Sequence, residues 1–184
     1  MGKRAHPCHD HCMTQAIDPD LIGIWIVQGQ PQTYEVTPDG GYHVADPEEP
    51  LSFSNGGAVM TWGSLTFTRT AGTGETPVGG WTEDASGDQW AFAQDGTYTV
   101  SAGGLSDTGI WDLRDNGASL WTREKRAKIT SDGAHLEFLT VYGTTSRYGY
   151  TVSNGVWRLL DPANWDELAR YVSAAKLMEL AGQA

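Results

Sequence analysis

From Leu21 onward, apolar and aromatic side chains recur at every second position in short runs separated by Asx-Gly dipeptides. Tyr34 and Val36, Trp90 and Phe92, Tyr98 and Val100, Trp111 and Leu113, Leu136 and Phe138, and Tyr148, Tyr150 and Val152 stand two apart, with mostly small or polar residues between them. That period puts each set on one face of a strand. Six dipeptides, Asp39-Gly40, Asn55-Gly56, Asp95-Gly96, Asn116-Gly117, Asp132-Gly133 and Asn154-Gly155, supply the positive φ that tight hairpin turns need. The pattern predicts strands near 21–28, 32–37, 41–45, 57–62, 64–69, 79–84, 88–93, 97–101, 108–113, 118–123, 126–130, 135–142, 147–152 and 155–160. A meander of so many short strands avoids exposed edges most simply by closing on itself. The expected fold is therefore all-β, an antiparallel meander closing into a barrel or two fused β-units.

Three segments break the alternation. Residues 1–19 are polar and aperiodic and read as a flexible tail. Asp46-Pro47-Glu48-Glu49-Pro50 is an acidic, proline-flanked loop, and Thr70 to Pro77 a Gly/Thr-rich connector. After Asp161-Pro162, an N-cap followed by proline, Trp165, Leu168, Ala169, Val172 and Ala175 recur at three- and four-residue steps. That spacing predicts an amphipathic helix over 161–184 packed on the barrel.

Residues 23–44 return without a gap as residues 79–100: Gly23-Ile24-Trp25 becomes Gly79-Gly80-Trp81, and Asp39-Gly40-Gly41-Tyr42 becomes Asp95-Gly96-Thr97-Tyr98. Shared spacing with shared side chains predicts one supersecondary unit built twice, dividing 20–160 into units of about 21–76 and 77–160. The combination of Gly-x-Trp with an Asp-Gly-x-Tyr hairpin resembles the small bacterial lipocalin-like proteins of the calycin superfamily. That resemblance implies an up-and-down antiparallel barrel, with the tryptophan covering its closed end and an apolar ligand inside. The chain departs from the family in carrying the motif twice, so the number of barrels stays open.

Twelve basic and twenty-three acidic residues give a net charge of −11, a field that repels phosphate backbones and argues against nucleic acid as a partner. Arg123, Lys125, Arg126 and Lys128 alternate with other residues as on a solvated strand face. No apolar run approaches the roughly 20 residues of a membrane helix, and no secretory signal is visible, so the cytoplasm is the expected compartment. The two cysteines, Cys8 and Cys12, lie in the tail and staple nothing in the barrel. With His6, His9 and His11 they form a ligand-rich stretch, but a zinc site usually draws on a second cluster and none follows. No metal and no cofactor are expected.

His43 and His135, the latter two residues from Glu137, are the remaining acid–base candidates, and both suit a solvent face. Signatures of hydrolases, nucleotide enzymes and zinc proteases are missing from the sequence. The leading reading is non-enzymatic binding of a small apolar or amphipathic ligand, in a cavity lined by Tyr34, Val36, Trp90, Phe92, Tyr98, Phe138 and Tyr150. Two alternatives stand beside it. One is a structural or assembly protein acting through its β-surface and terminal helix, as a homo-oligomer or with a protein partner; the other is a cofactor-free cyclase or isomerase that uses the same cavity.

Overall fold

Fifteen strands, each paired antiparallel with its neighbours, and one short helix make up residues 17–182, the part of the chain described by this computed structural model. The strands are β1 (Gly23–Val27), β2 (Thr33–Val36), β3 (Gly41–Ala45), β4 (Glu49–Ser54), β5 (Val59–Trp62), β6 (Leu65–Ala71), β7 (Gly79–Glu83) and β8 (Gln89–Phe92). They continue as β9 (Thr97–Ala102), β10 (Leu105–Arg114), β11 (Ser119–Ser131), β12 (His135–Thr140), β13 (Thr145–Ser153), β14 (Val156–Leu160) and β15 (Glu167–Ser173), and the helix α1 is Ala174–Ala181. All six Asx-Gly dipeptides fall between consecutive strands, as their turn chemistry predicts. The all-β class with a C-terminal helix is what the alternation predicted. No helix among the described residues is long and apolar enough to cross a membrane.

The pairings close two rings of eight strands that share β11. Strands β4 to β10 follow one another in order, β10 pairs with β11, and β11 returns to β4 through Ser119↔Pro50 and Leu120↔Glu49. This is the middle ring, built from the middle of the chain. The terminal ring uses both ends: β11 continues through β12, β13, β14 and β15 to β1, β2 and β3, and β3 comes back to β11 between Arg123 and Lys128. Arg123 and Glu124 therefore pair with β10 on one edge and β3 on the other, while Ala127 and Lys128 pair with β12 and β3. Strands β3 and β4 lie in line along the same edge of β11, interrupted only by residues 46–48.

The two copies of the sequence repeat take matching places, β1–β3 in the terminal ring and β7–β9 in the middle one. The indole of Trp25 donates to Leu21 O at 2.8 Å, and that of Trp81 to Pro77 O at 2.6 Å, four residues back in both cases. Gly40 and Gly96 turn their hairpins at φ +81° and +82°, and their carbonyls accept from Ile129 N at 2.7 Å and Trp111 N at 2.8 Å. These contacts mark the base of each ring. Strand β11 starts near the base of the middle ring and ends near the base of the terminal ring, so the two opposite ends, the mouths, meet along its centre. Each ring has its own core: Met60, Phe67, Trp81, Phe92 and Leu120 in one, Leu21, Trp25, Val36, Ile129, Leu136 and Trp157 in the other.

Three expectations need correction. Residues 118–123 and 126–130 are one strand, β11, because a bulge at Arg126 shifts the alternation: Leu120, Thr122 and Glu124 are buried before it, Ala127 and Ile129 after it. The helix predicted over 161–184 is confined to Ala174–Ala181. Residues Glu167–Ser173 are strand β15, since Tyr171 packs into the core and pairs with both β14 and β1, closing a ring that would otherwise have two open edges. The division at about residue 76 is not where the pairings divide the chain. The boundary runs through the 46–48 loop and β11, so the middle ring is an insertion in the terminal one.

Arg69 secures the base of the middle ring. Its guanidinium donates to Gly57 O at 2.6 Å, Val78 O at 3.0 Å, Gly74 O at 2.7 Å and Thr76 O at 2.8 Å, and lies 3.9 Å over the Trp81 ring. One planar fork thus ties the 72–78 connector and the β4–β5 turn to the tryptophan that closes the ring. Arg69→Ala is expected to cost about 3 kcal/mol or more, the worth of two charge-assisted bonds. Arg69→Lys should recover less than half of that loss, because one ammonium cannot serve four carbonyls. Urea unfolding midpoints at unchanged slope measure both, and a lysine variant as stable as the parent contradicts the assignment.

Candidate functional site

Where the mouths meet, two hollows open on either side of the β11 centre. The larger, about 560 Å³, lies over the middle ring. Trp62 at the end of β5 and Trp90 in β8 wall it, edge to face at 5.7 Å, and Leu65 and Pro31 add apolar surface. Asp46 and Pro47, from the link between β3 and β4, and Glu49 at the start of β4 complete the rim. Trp62 faces inward because Met60, Trp62 and, across the hairpin, Leu65 and Phe67 follow the two-residue period. Below Trp90, the rings of Phe92 and Tyr98 continue a stack at 5.9 and 5.6 Å. Tyr98 fits there because Gly109 stands opposite it; a Cβ at that position would lie 2.4 Å from its ring.

The smaller hollow, about 220 Å³, is in the mouth of the terminal ring. Tyr42, Phe138, Tyr148, Leu159 and Tyr171 line it, with Arg126 at its edge. Tyr42 meets Phe138 at 5.4 Å and its hydroxyl approaches that of Tyr171 at 3.5 Å. Burial pushes the Tyr42 phenol far above its ordinary range, so it stays protonated. The hollows differ in charge: two carboxylates and no basic side chain line the larger one, and an arginine with no carboxylate lines the smaller.

Between them, Glu124 and Arg126 of the shared strand form an ion pair. Glu124 is only 8% exposed, and burial raises its carboxyl above the ordinary glutamate value despite the guanidinium beside it. Around this pair, Thr122 donates to Asp46 Oδ2 at 3.2 Å, Arg123 bonds Glu35, and the Tyr142 hydroxyl bonds Asp107, tying the β12–β13 turn to β10. Arg123 and Arg126 thus belong to ion pairs at the seam; Arg123 is half-buried, whereas Arg126 is exposed, as expected of a solvated face. Lys125 and Lys128 are exposed as expected.

The seven residues expected to share one cavity are divided between the rings. Trp90 lines the larger hollow, with Phe92 and Tyr98 buried beneath it, and Phe138 lines the smaller. Tyr34 stands half-buried at the terminal mouth, bonded to Gln30. Val36 and Tyr150 are core residues lower in the terminal ring, and the Tyr150 hydroxyl donates to Asp18 Oδ2 at 2.7 Å, which with burial pushes its pKa up to about 12. Sequence reasoning missed Trp62, Asp46, Glu49, Tyr42, Tyr171 and Arg126. For Trp62 the two-residue period with Met60 was an available signal.

Of the two described histidines, His135 approaches Asp132 at 3.4 Å and Arg147 at 3.1 Å, and with Glu137 it lines a hollow of only about 10 Å³. His43 is half-buried, and burial together with Arg123 lowers its pKa. Among the described residues, no group of three or more His, Cys, Asp or Glu side chains is placed to hold a metal. The His6, Cys8, His9, His11 and Cys12 stretch lies outside the described residues. No family model matches the chain, and neither does any curated protein or solved structure.

The raised carboxyl of Glu124 has a thermodynamic consequence. The native protein holds this proton to higher pH than the unfolded chain, so the contribution is full below about pH 4.5, the ordinary value, and is lost as pH rises through the native one. Glu124→Gln should therefore gain stability relative to the parent between pH 4.5 and neutrality. Urea titrations across that interval read the difference, and a parent that gains on the variant with rising pH contradicts the assignment.

Proposed function

We propose that the protein binds a small apolar or amphipathic ligand at the seam, in the hollow walled by Trp62 and Trp90, without catalysing a reaction on it. The observation that carries this reading is the hollow itself. Its volume, about 560 Å³, falls within the range of small-molecule sites, and its walls pair aromatic surface with a few polar groups at the rim. The indole N–H groups of Trp62 and Trp90 are buried without an acceptor among the described residues. The lipocalin-like resemblance of the two Gly-x-Trp units agrees with a ligand-binding barrel, and the closed bases leave the mouths as the route of entry.

A third hollow, about 480 Å³, lies between the β13–β14 turn and α1, but polar and charged residues, Asn154, Ser173, Lys176 and Glu179, line it without an aromatic wall. Below the mouths, Trp81 and Trp157 are fully buried in the two cores. A ligand therefore rests on top of the middle-ring core, at the seam, where a lipocalin-like barrel would hold it deep inside.

A panel of environment-sensitive apolar fluorophores, titrated against tryptophan quenching, tests this. At least one probe should bind in the micromolar range, and Trp90→Ala should weaken it at least tenfold while Trp165→Ala, on an exposed turn, leaves it unchanged. Uptake by none of the probes, or equal affinity in the two variants, overturns the reading.

A further inference from the structure

Resting on that reading, we infer that the ligand of the larger hollow is a small organic cation, an alkylammonium or a protonated amine on an apolar body. Asp46 and Glu49 face the hollow, and Lys, Arg and His are missing from its lining. Neither carboxylate has an ion-pair partner among the described residues. Asp46 accepts only from the Thr122 hydroxyl, and the Glu49 carboxylate lies against Gly63, its Oε2 3.0 Å from where a Cβ of that residue would stand. The neighbouring Glu48, by contrast, approaches Arg114 at 4.0 Å. Both carboxylates stand on the lining of one hollow without a cationic partner, and a cation held there is attracted by both.

The aromatic wall is independent of the carboxylates and suits the same guest. Trp62 and Trp90 both line the hollow and stand edge to face at 5.7 Å, so an ammonium resting in it lies against indole surface. Indole faces carry negative quadrupolar charge and are the best of the aromatic partners for cations. Anions are disfavoured twice over, by the two rim carboxylates and by the net charge of −11. The two seam arginines are held by carboxylates, Arg123 by Glu35 and Arg126, which lines the other hollow, by Glu124.

Displacement of a bound apolar fluorophore by three isosteric phenyl compounds separates charge from shape: 2-phenylethylammonium, 2-phenylethanol and phenylacetate. The ammonium should displace the probe at a concentration at least tenfold lower than the alcohol, and phenylacetate should be weakest. In the Asp46→Asn, Glu49→Gln double variant the ammonium and the alcohol should become equal, while the probe still binds and the urea midpoint is retained. Equal potency of the three compounds on the parent protein, a charge preference unchanged in the variant, or a bound probe displaced by none of them overturns the cation assignment and leaves the binding site standing. Failure of every fluorophore to bind removes the site and the cation assignment together.

Discussion

Everything in this fold depends on one strand having to be paired along both of its edges. Strand β11 meets β10 and β12 on one edge, and β4 and β3 on the other, so each half completes a different ring. A thirteen-residue strand with one free edge would be an invitation to pair with another chain. Here the in-line run of β3 into β4 covers that edge. The bulge at Arg126 is what lets a single strand serve two cores, because it changes which residues point inward between Glu124 and Ala127.

The two bases are closed by related means with different chemistry. In the middle ring, Arg69 of β6 stands in register with Trp81 and gathers four carbonyls. In the terminal ring the residue in register with Trp25 is Ser173, whose hydroxyl accepts from Lys176 N and caps α1. A helix therefore begins where the other ring places its arginine. At the mouth of the middle ring, Trp62, Trp90 and the carboxylates of Asp46 and Glu49 line one hollow.

The hairpins were legible because their determinants are local. Asx-Gly turns and the two-residue period of Tyr34/Val36 or Trp90/Phe92 need no distant partner to be recognised. What escaped depends on contacts far apart in sequence. Strand β15 carries both a helical and an alternating pattern, and its pairing with β1, some 140 residues away, decides between them. The break in alternation at Arg126 looks like a turn unless both flanking rings are known. Among site residues, Trp90 and Phe138 were legible from alternation. Asp46 and Glu49 were not, since an acidic, proline-flanked loop looks solvated until ring closure brings it over Trp62.

If β11 is shared, neither ring can unfold and leave the other intact, because losing either one strips an edge of the same strand. Differential scanning calorimetry measures this directly. One transition is expected, with calorimetric and van't Hoff enthalpies that agree, as for a single cooperative unit. Two resolved transitions, or a van't Hoff enthalpy near half the calorimetric one, would contradict it.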